Sequence, residues 1–231
     1  MSQEKVVKMS KFICVFCDER KRDSDARITN GDVGICRSCY ETLCKTAPAL
    51  PYDGVRSISY IMSPFEYKGR LRDAIIDFKF GNCWSYAPLF ADMMQDYIDS
   101  YGIMAEQFDF IVPVPLHEKR LKERGFNQSE SIAEHVARNN GIPMRTDLLI
   151  RTRATKKQST LRGTERALNV KDAFKCTGDV KGKKILLFDD ICTTGGTLRF
   201  CADALKEGGA EEICALTLAI HGGEKLKDIM Y

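Results

Sequence analysis

The chemistry-bearing residues of this chain concentrate in one run: Asp189 and Asp190, then Ile191 and Cys192, then Thr193, Thr194, Gly195, Gly196 and Thr197. Before the acidic pair stands Lys184 to Phe188, an apolar stretch with the length of a buried strand. After it, Leu198, Cys201, Ala202 and Leu205 fall on one face of a helix expected over 195–207, with Gly208 and Gly209 as its stop. Ligands of open α/β sheets sit beyond the carboxyl ends of the strands. A helix N-terminus there offers unpaired N–H groups and a dipole that favours an anion. Gly195 and Gly196 let the backbone approach that anion closely, and Thr193, Thr194 and Thr197 add hydroxyl donors. The loop is therefore expected to hold a phosphate monoester. Two carboxylates would repel a phosphate at contact distance, so Asp189 and Asp190 suit hydroxyls or a metal ion beside it. A sugar phosphate meets both demands, with its ribose hydroxyls on the acidic pair. A nucleoside triphosphatase is disfavoured, because its loop carries a lysine that this one lacks.

A second constellation lies near the N-terminus. Five of the ten cysteines fall within residues 14–44. Cys14 and Cys17 form one C-x2-C pair, Cys36 and Cys39 another, with eighteen residues between them. Each pair makes a tight turn that aims two thiolates at one ion, and two such turns complete a tetrahedron. Zn2+ suits this set, and iron fits the same sulfur geometry. Cys44 is a second-choice ligand because of its wider spacing from Cys39. A head of this size buries too little to fold unaided, so the metal is expected to be structural.

The elements that must position these groups can be read from periodicity. Residues 1–50 form the head, ending at the break Ala47 to Pro51. Residues 51–107 form a linking arm with a strand or extended stretch over 58–67 and helices over 71–80 and 87–101. Residues 108–231 form the core: a strand over 108–114, a helix opened by Asn127, the strand before Asp189, its helix, and a strand over 213–220. Strand, helix, strand in this order implies a parallel sheet. Phe78, Phe80, Trp84 and Tyr86 are expected in the core more than in a base-stacking platform, and a binding role stays open. Residues 151–171 lack an apolar period and read as a mobile loop. Within it, Arg151, Arg153, Lys156 and Lys157 could face an anionic leaving group, or could serve solubility and non-specific attraction to nucleic acid. Residues 111–170 hold twelve Lys/Arg against six Asp/Glu. Cys192 is expected to fill space rather than act as a nucleophile.

The run from Ile185 to Thr197 resembles the signature of type I phosphoribosyltransferases. The whole arrangement is similar to the ComF family: the paired cysteines, Arg124 to Gln128, Thr155 to Gln158, Arg166 to Phe174 and the loop at Asp189. That resemblance implies a phosphoribosyltransferase-like α/β fold, a parallel sheet flanked by helices, with a zinc-ribbon-like head. It implies phosphoribosyl pyrophosphate as ligand, with Mg2+ bridging pyrophosphate and ribose oxygens, and a link to DNA uptake in natural competence. It leaves the acceptor open.

Composition sets the remaining bounds. The net charge of +3 excludes a global polycation, and no uncharged stretch reaches membrane-spanning length. The N-terminus has no signal-peptide run, and a cytoplasmic protein is expected. Two functions stay in view: a phosphoribosyl-transferring enzyme, and a non-catalytic module that binds single-stranded DNA or a competence protein.

Overall fold

The computed structural model describes residues 11–46, 50–51, 57–102, 107–153 and 173–222. The head is a four-stranded sheet of order β2-β1-β4-β3, with β1 Lys11–Cys14, β2 Arg20–Arg22, β3 Ala26–Asn30 and β4 Val33–Cys36, followed by the short helix α1, Arg37–Glu41. The two central strands, β1 and β4, run parallel, and each ends at the first cysteine of a pair.

The main sheet has six strands. Four form its parallel centre in the order β6-β12-β11-β8: β6 Tyr60–Met62, β12 Glu212–Ile220, β11 Lys184–Cys192 and β8 Phe110–Pro113. Leu50–Pro51 (β5) pairs antiparallel at the edge, and Phe65–Glu66 (β7) pairs with the far end of β12. The sequence expectation of a parallel sheet therefore holds for the centre and gives way at one edge. The expected arm contributes β6 and β7 directly to this sheet.

Side chains alternate across β11, so its apolar run serves two cores at once. Leu186 and Phe188 pack with α2 (Gly69–Phe80), α3 (Tyr86–Tyr101) and α5 (Gln128–Asn140); Ile185 and Leu187 pack with α6 (Gly196–Glu207) and the hairpin of β9 (Leu149–Arg151) and β10 (Phe174–Cys176). Burial on both faces explains why β11 reads as continuous apolar sequence. The first core also contains Phe12, Ile35 and the paired cysteines, so head and sheet share one hydrophobic cluster. Polar ties reinforce it: Arg27 and Tyr40 both reach Asp96 of α3, at 2.5 and 2.8 Å.

The strand before the site is longer than expected. Because β12 runs beside it to Ile220, β11 continues past the acidic pair to Cys192, with Asp189 opposite Thr217. On the other side β8 stops at Pro113, opposite Phe188. From Asp189 onward that edge is open, and the chain after β8 fills it. Helix α4 (Glu118–Arg124) ends at Gly125 in the left-handed conformation, and Asn127 starts α5. Asn127 accepts from Ser129 N at 3.2 Å and donates Nδ2 to Val114 O at 3.1 Å, which fixes α5 against the end of β8. Replacing Asn127 by Ala strands both partners, and the expected cost is about 1–2 kcal/mol in chemical denaturation. An unchanged midpoint would show that the cap is dispensable.

Candidate functional site

The carboxylates of Asp189 and Asp190 have different partners. Asp189 accepts from Ser129 Oγ of α5 at 2.8 Å and from the Asp190 backbone N–H at 2.9 Å. Asp190 meets Lys79 of α2, with 2.6 Å between Nζ and Oδ2. This contact is ionic and lacks the alignment of a hydrogen bond. Burial, and then the adjacent Asp190 charge, push the Asp189 carboxyl well above the usual carboxylate range; Ser129 and Lys79 oppose them. Consecutive acidic residues on a buried strand thus form a strained pair that a ligand hydroxyl or cation would relieve.

The strain has a measurable sign. A carboxyl whose folded pKa is raised contributes stability that is fully present below its unfolded pKa and is lost as pH rises through the folded value. Asp189→Asn is therefore expected to be more stable than wild type by about 1–2 kcal/mol near pH 8, with the gain shrinking toward pH 4. Melting curves across that range test it. A gain independent of pH would remove the electrostatic cause.

Beyond Cys192 the chain makes the expected turn. Gly195 caps α6 in the left-handed conformation at φ 69°, and the helix carries no acidic residue in its first turn. Thr193 and Thr194 are exposed, while Gly196 and Thr197 are partly so. His221 N donates to Cys192 O at 2.8 Å, which pins the end of β11 beneath this turn. Burial pushes the Cys192 thiol up to about 12, in keeping with a space-filling role.

Basic groups surround the pair unevenly. Arg124 donates to Gln128 Oε1 at 2.7 Å, and its guanidinium lies 4.9 Å over the Phe80 ring. Burial holds its pKa below the ordinary value, against the pull of Asp190. Arg151 stacks over Phe174 at 5.2 Å; burial and the Arg120 charge lower its pKa, while Cys201 and Asp189 oppose them. Arg153 is exposed. Lys156 and Lys157 lie outside the described residues.

Lys79 and Ser129 as contacts of the acidic pair escaped the sequence reading. Lys79 sits one residue after buried Phe78 on an amphipathic helix, a position that normally faces solvent, and no local pattern signals its partner 111 positions on. Two aromatic expectations are corrected. Phe80 and Trp84 are each 69% exposed, since the face of α2 that buries Leu71, Ala74, Ile75 and Phe78 turns Phe80 outward. Phe78 is buried, edge-on to Phe90 at 5.4 Å and to Phe126 at 5.3 Å.

The four head cysteines come together as expected. The sulfurs of Cys14, Cys17, Cys36 and Cys39 lie within 4.8 Å of one another, and none is in a disulfide. Four thiolates about 2.3 Å from one ion would stand roughly 3.8 Å apart, so the cluster fits a tetrahedral metal. Cys36 N and Arg70 Nη1 donate to Cys14 Sγ and Cys39 Sγ, at 3.4 and 3.0 Å, as partners of thiolates should. Cys44 is outside the cluster and exposed. Arg70 and Lys79 occupy opposite ends of α2, so one helix touches both the cysteine cluster and the acidic pair.

With this geometry in place, the core is that of a phosphoribosyltransferase-like α/β protein. Residues 122–231 match the family model described as "Phosphoribosyl transferase domain". The chain is 31% identical to the "Competence protein ComFC" of Bacillus subtilis (strain 168), over 94% of this chain and 99% of that one. It is therefore a member of the ComF family. It is 36% identical to the "DNA utilization protein YhgH" of Escherichia coli (strain K12) over 46% of each chain. It is also 33% identical to the "Competence protein F" of Haemophilus influenzae over 47% of this chain and 49% of that one. Among solved structures, a purine phosphoribosyltransferase from Pyrococcus horikoshii Ot3 overlaps 59% of this chain and 71% of its own, with a TM-score of 0.34 and 20% identity. Among the described residues, no helix is long and apolar enough to cross a membrane.

Proposed function

We propose that the chain binds phosphoribosyl pyrophosphate and transfers its phosphoribosyl group to a nitrogen acceptor. The observation that carries this reading is the acidic pair on β11, Asp190 buried and Asp189 partly so, set just before a threonine–glycine turn that opens α6. Residues 193–197 hold the 5′-phosphate, and Asp189 and Asp190 hold the ribose hydroxyls. Bound Mg2+ supplies charge neutralisation to the pyrophosphate. As the bond from ribose C1 to pyrophosphate breaks, positive charge builds on the sugar, and the acceptor nitrogen bonds to C1 and releases its proton to solvent water. Pyrophosphate leaves with the bonding pair, and Arg151, Arg153, Lys156 and Lys157 receive its charge. Such a step needs no side-chain nucleophile, which agrees with the burial of Cys192. In this reading residues 1–50 are a Zn2+-stapled head, 51–107 join it to the sheet, and 108–231 carry the site. The names of the relatives, a competence protein and a DNA utilization protein, support a role in the handling of DNA during competence, and the reading sets that role in the cytoplasm.

The test is thermal denaturation with phosphoribosyl pyrophosphate and Mg2+. A ligand that binds only the folded chain raises its melting temperature by mass action. A concentration-dependent rise, followed by pyrophosphate release with some acceptor, supports the reading. An unmoved melting temperature at millimolar ligand ends it.

Phe80 and Trp84 favour a second reading. Exposed aromatics, with Arg124 lying over the Phe80 ring, suit base stacking, as in modules that bind single-stranded DNA. Such binding would weaken steeply with salt and ignore substitutions at Asp190. A module of this kind could equally dock a competence protein.

A further inference from the structure

We propose that Lys79 is the site's own counter-cation, so that the acidic pair accepts a ribose 5-phosphate group without a divalent metal on its carboxylates. The inference rests on the sugar-phosphate reading above and specifies how that site is neutralised. An isolated pair of carboxylates on a buried strand would recruit a cation to offset its charge. Here a side chain supplies one. Lys79 Nζ stands 2.6 Å from Asp190 Oδ2, and the two side chains are only 16% and 10% exposed. Its helix is held at both ends: Arg70 donates to Cys39 Sγ at 3.0 Å, and Phe78, beside Lys79, is locked between Phe90 and Phe126. The ammonium is therefore delivered to the pair by a fixed element.

Its place also suits the ligand. Asp190 Oδ2 is buried against Lys79, so a ribose hydroxyl is left to the other oxygen of this carboxylate. Asp189 keeps Ser129 as its donor. The second cation facing the pair, Arg124, is tied to Gln128 and Phe80 and adds attraction without contact. A ribose can thus place its hydroxyls on a pair of carboxylates of which one, Asp190, already has its counter-charge in Lys79. Any Mg2+ that enters with a diphosphate is then bound by the diphosphate and not by the pair.

Ribose 5-phosphate is the probe, because it lacks the diphosphate that chelates metal by itself. Calorimetric titrations of the full chain are run in EDTA and in Mg2+. The expected result is the same affinity in both buffers for wild type and for Lys79→Arg. Lys79→Met is expected to bind about tenfold more weakly in EDTA than in Mg2+, because the pair must then take its cation from solution. Mn2+ binding to the ligand-free chain, read by electron paramagnetic resonance, should be stronger in Lys79→Met than in wild type. Wild-type binding that requires Mg2+, or a Lys79→Met chain as indifferent to metal as wild type, overturns the proposal while leaving the sugar-phosphate site intact. Failure of wild type to bind ribose 5-phosphate in either buffer defeats the sugar-phosphate reading itself. If Lys79→Met does not fold, wild type and Lys79→Arg still decide, since metal dependence in both refutes the proposal.

Discussion

A chelator is expected to lower the melting temperature by roughly 10 °C or more, by removing the metal that the four-cysteine cluster is built to hold. The head cannot stand on its own burial. Its strands run three to five residues, and its largest fully buried side chains are Phe12 and Ile35. A structural zinc contributes on the order of 10–16 kcal/mol of binding free energy in small peptides, much of it spent on folding. Here part of the head would persist without metal, because Tyr40 packs edge-on to Phe65 at 6.2 Å and Arg27 pairs with Asp96. The net loss is set at about 5 kcal/mol for that reason, which in a chain of this size corresponds to roughly 10–20 °C. Cys36→Ser should reproduce the effect and abolish the one metal ion per chain that elemental analysis of wild type is expected to find. Cys44→Ser should change neither. Equal damage from the two substitutions, or a melting curve indifferent to chelator, would mean that the cluster is four buried thiols. Elemental analysis of the untreated protein also separates zinc from iron.

How legible these features were depended on how local their causes are. The cysteine knuckles, the threonine–glycine turn and the Asn127 cap are decided within a few residues, and all are where spacing and chemistry put them. The buried strand at Ile185 was legible because a strand covered on both faces has no polar alternation. Its length was not, because β11 stops where its neighbour β12 stops, and pairing partners are not encoded in the strand itself. The same holds for the antiparallel edge at β5 and for the exposure of Phe80. The pairing of Lys79 with Asp190 is the extreme case. It brings together residues from the arm and the core that no local periodicity connects, and it changes the charge of the site.

That pairing makes the two neighbouring carboxylates separable by experiment. Asp190→Asn is expected to abolish the rise in melting temperature produced by phosphoribosyl pyrophosphate and Mg2+, a rise worth about 2.7 kcal/mol at a hundredfold excess over Kd. It is also expected to destabilise the free protein by about 1–2 kcal/mol. Removing one member of a mostly buried ion pair leaves the other uncompensated, and the remaining exposure of Lys79 tempers the usual penalty. Asp189→Asn should move the free protein the opposite way, because it removes a carboxylate that burial and Asp190 already disfavour. Loss of ligand response alone could therefore be mistaken for simple unfolding in Asp190→Asn, but not in Asp189→Asn. The double variant Asp190→Asn with Lys79→Met closes the argument. It removes both charges and should recover most of the stability lost by Asp190→Asn, while the ligand response stays absent. A double variant that regains the response would show that Asp190 serves the fold and not the ligand. A single Asp190→Asn chain that still responds at full strength would move the ribose site away from β11 altogether.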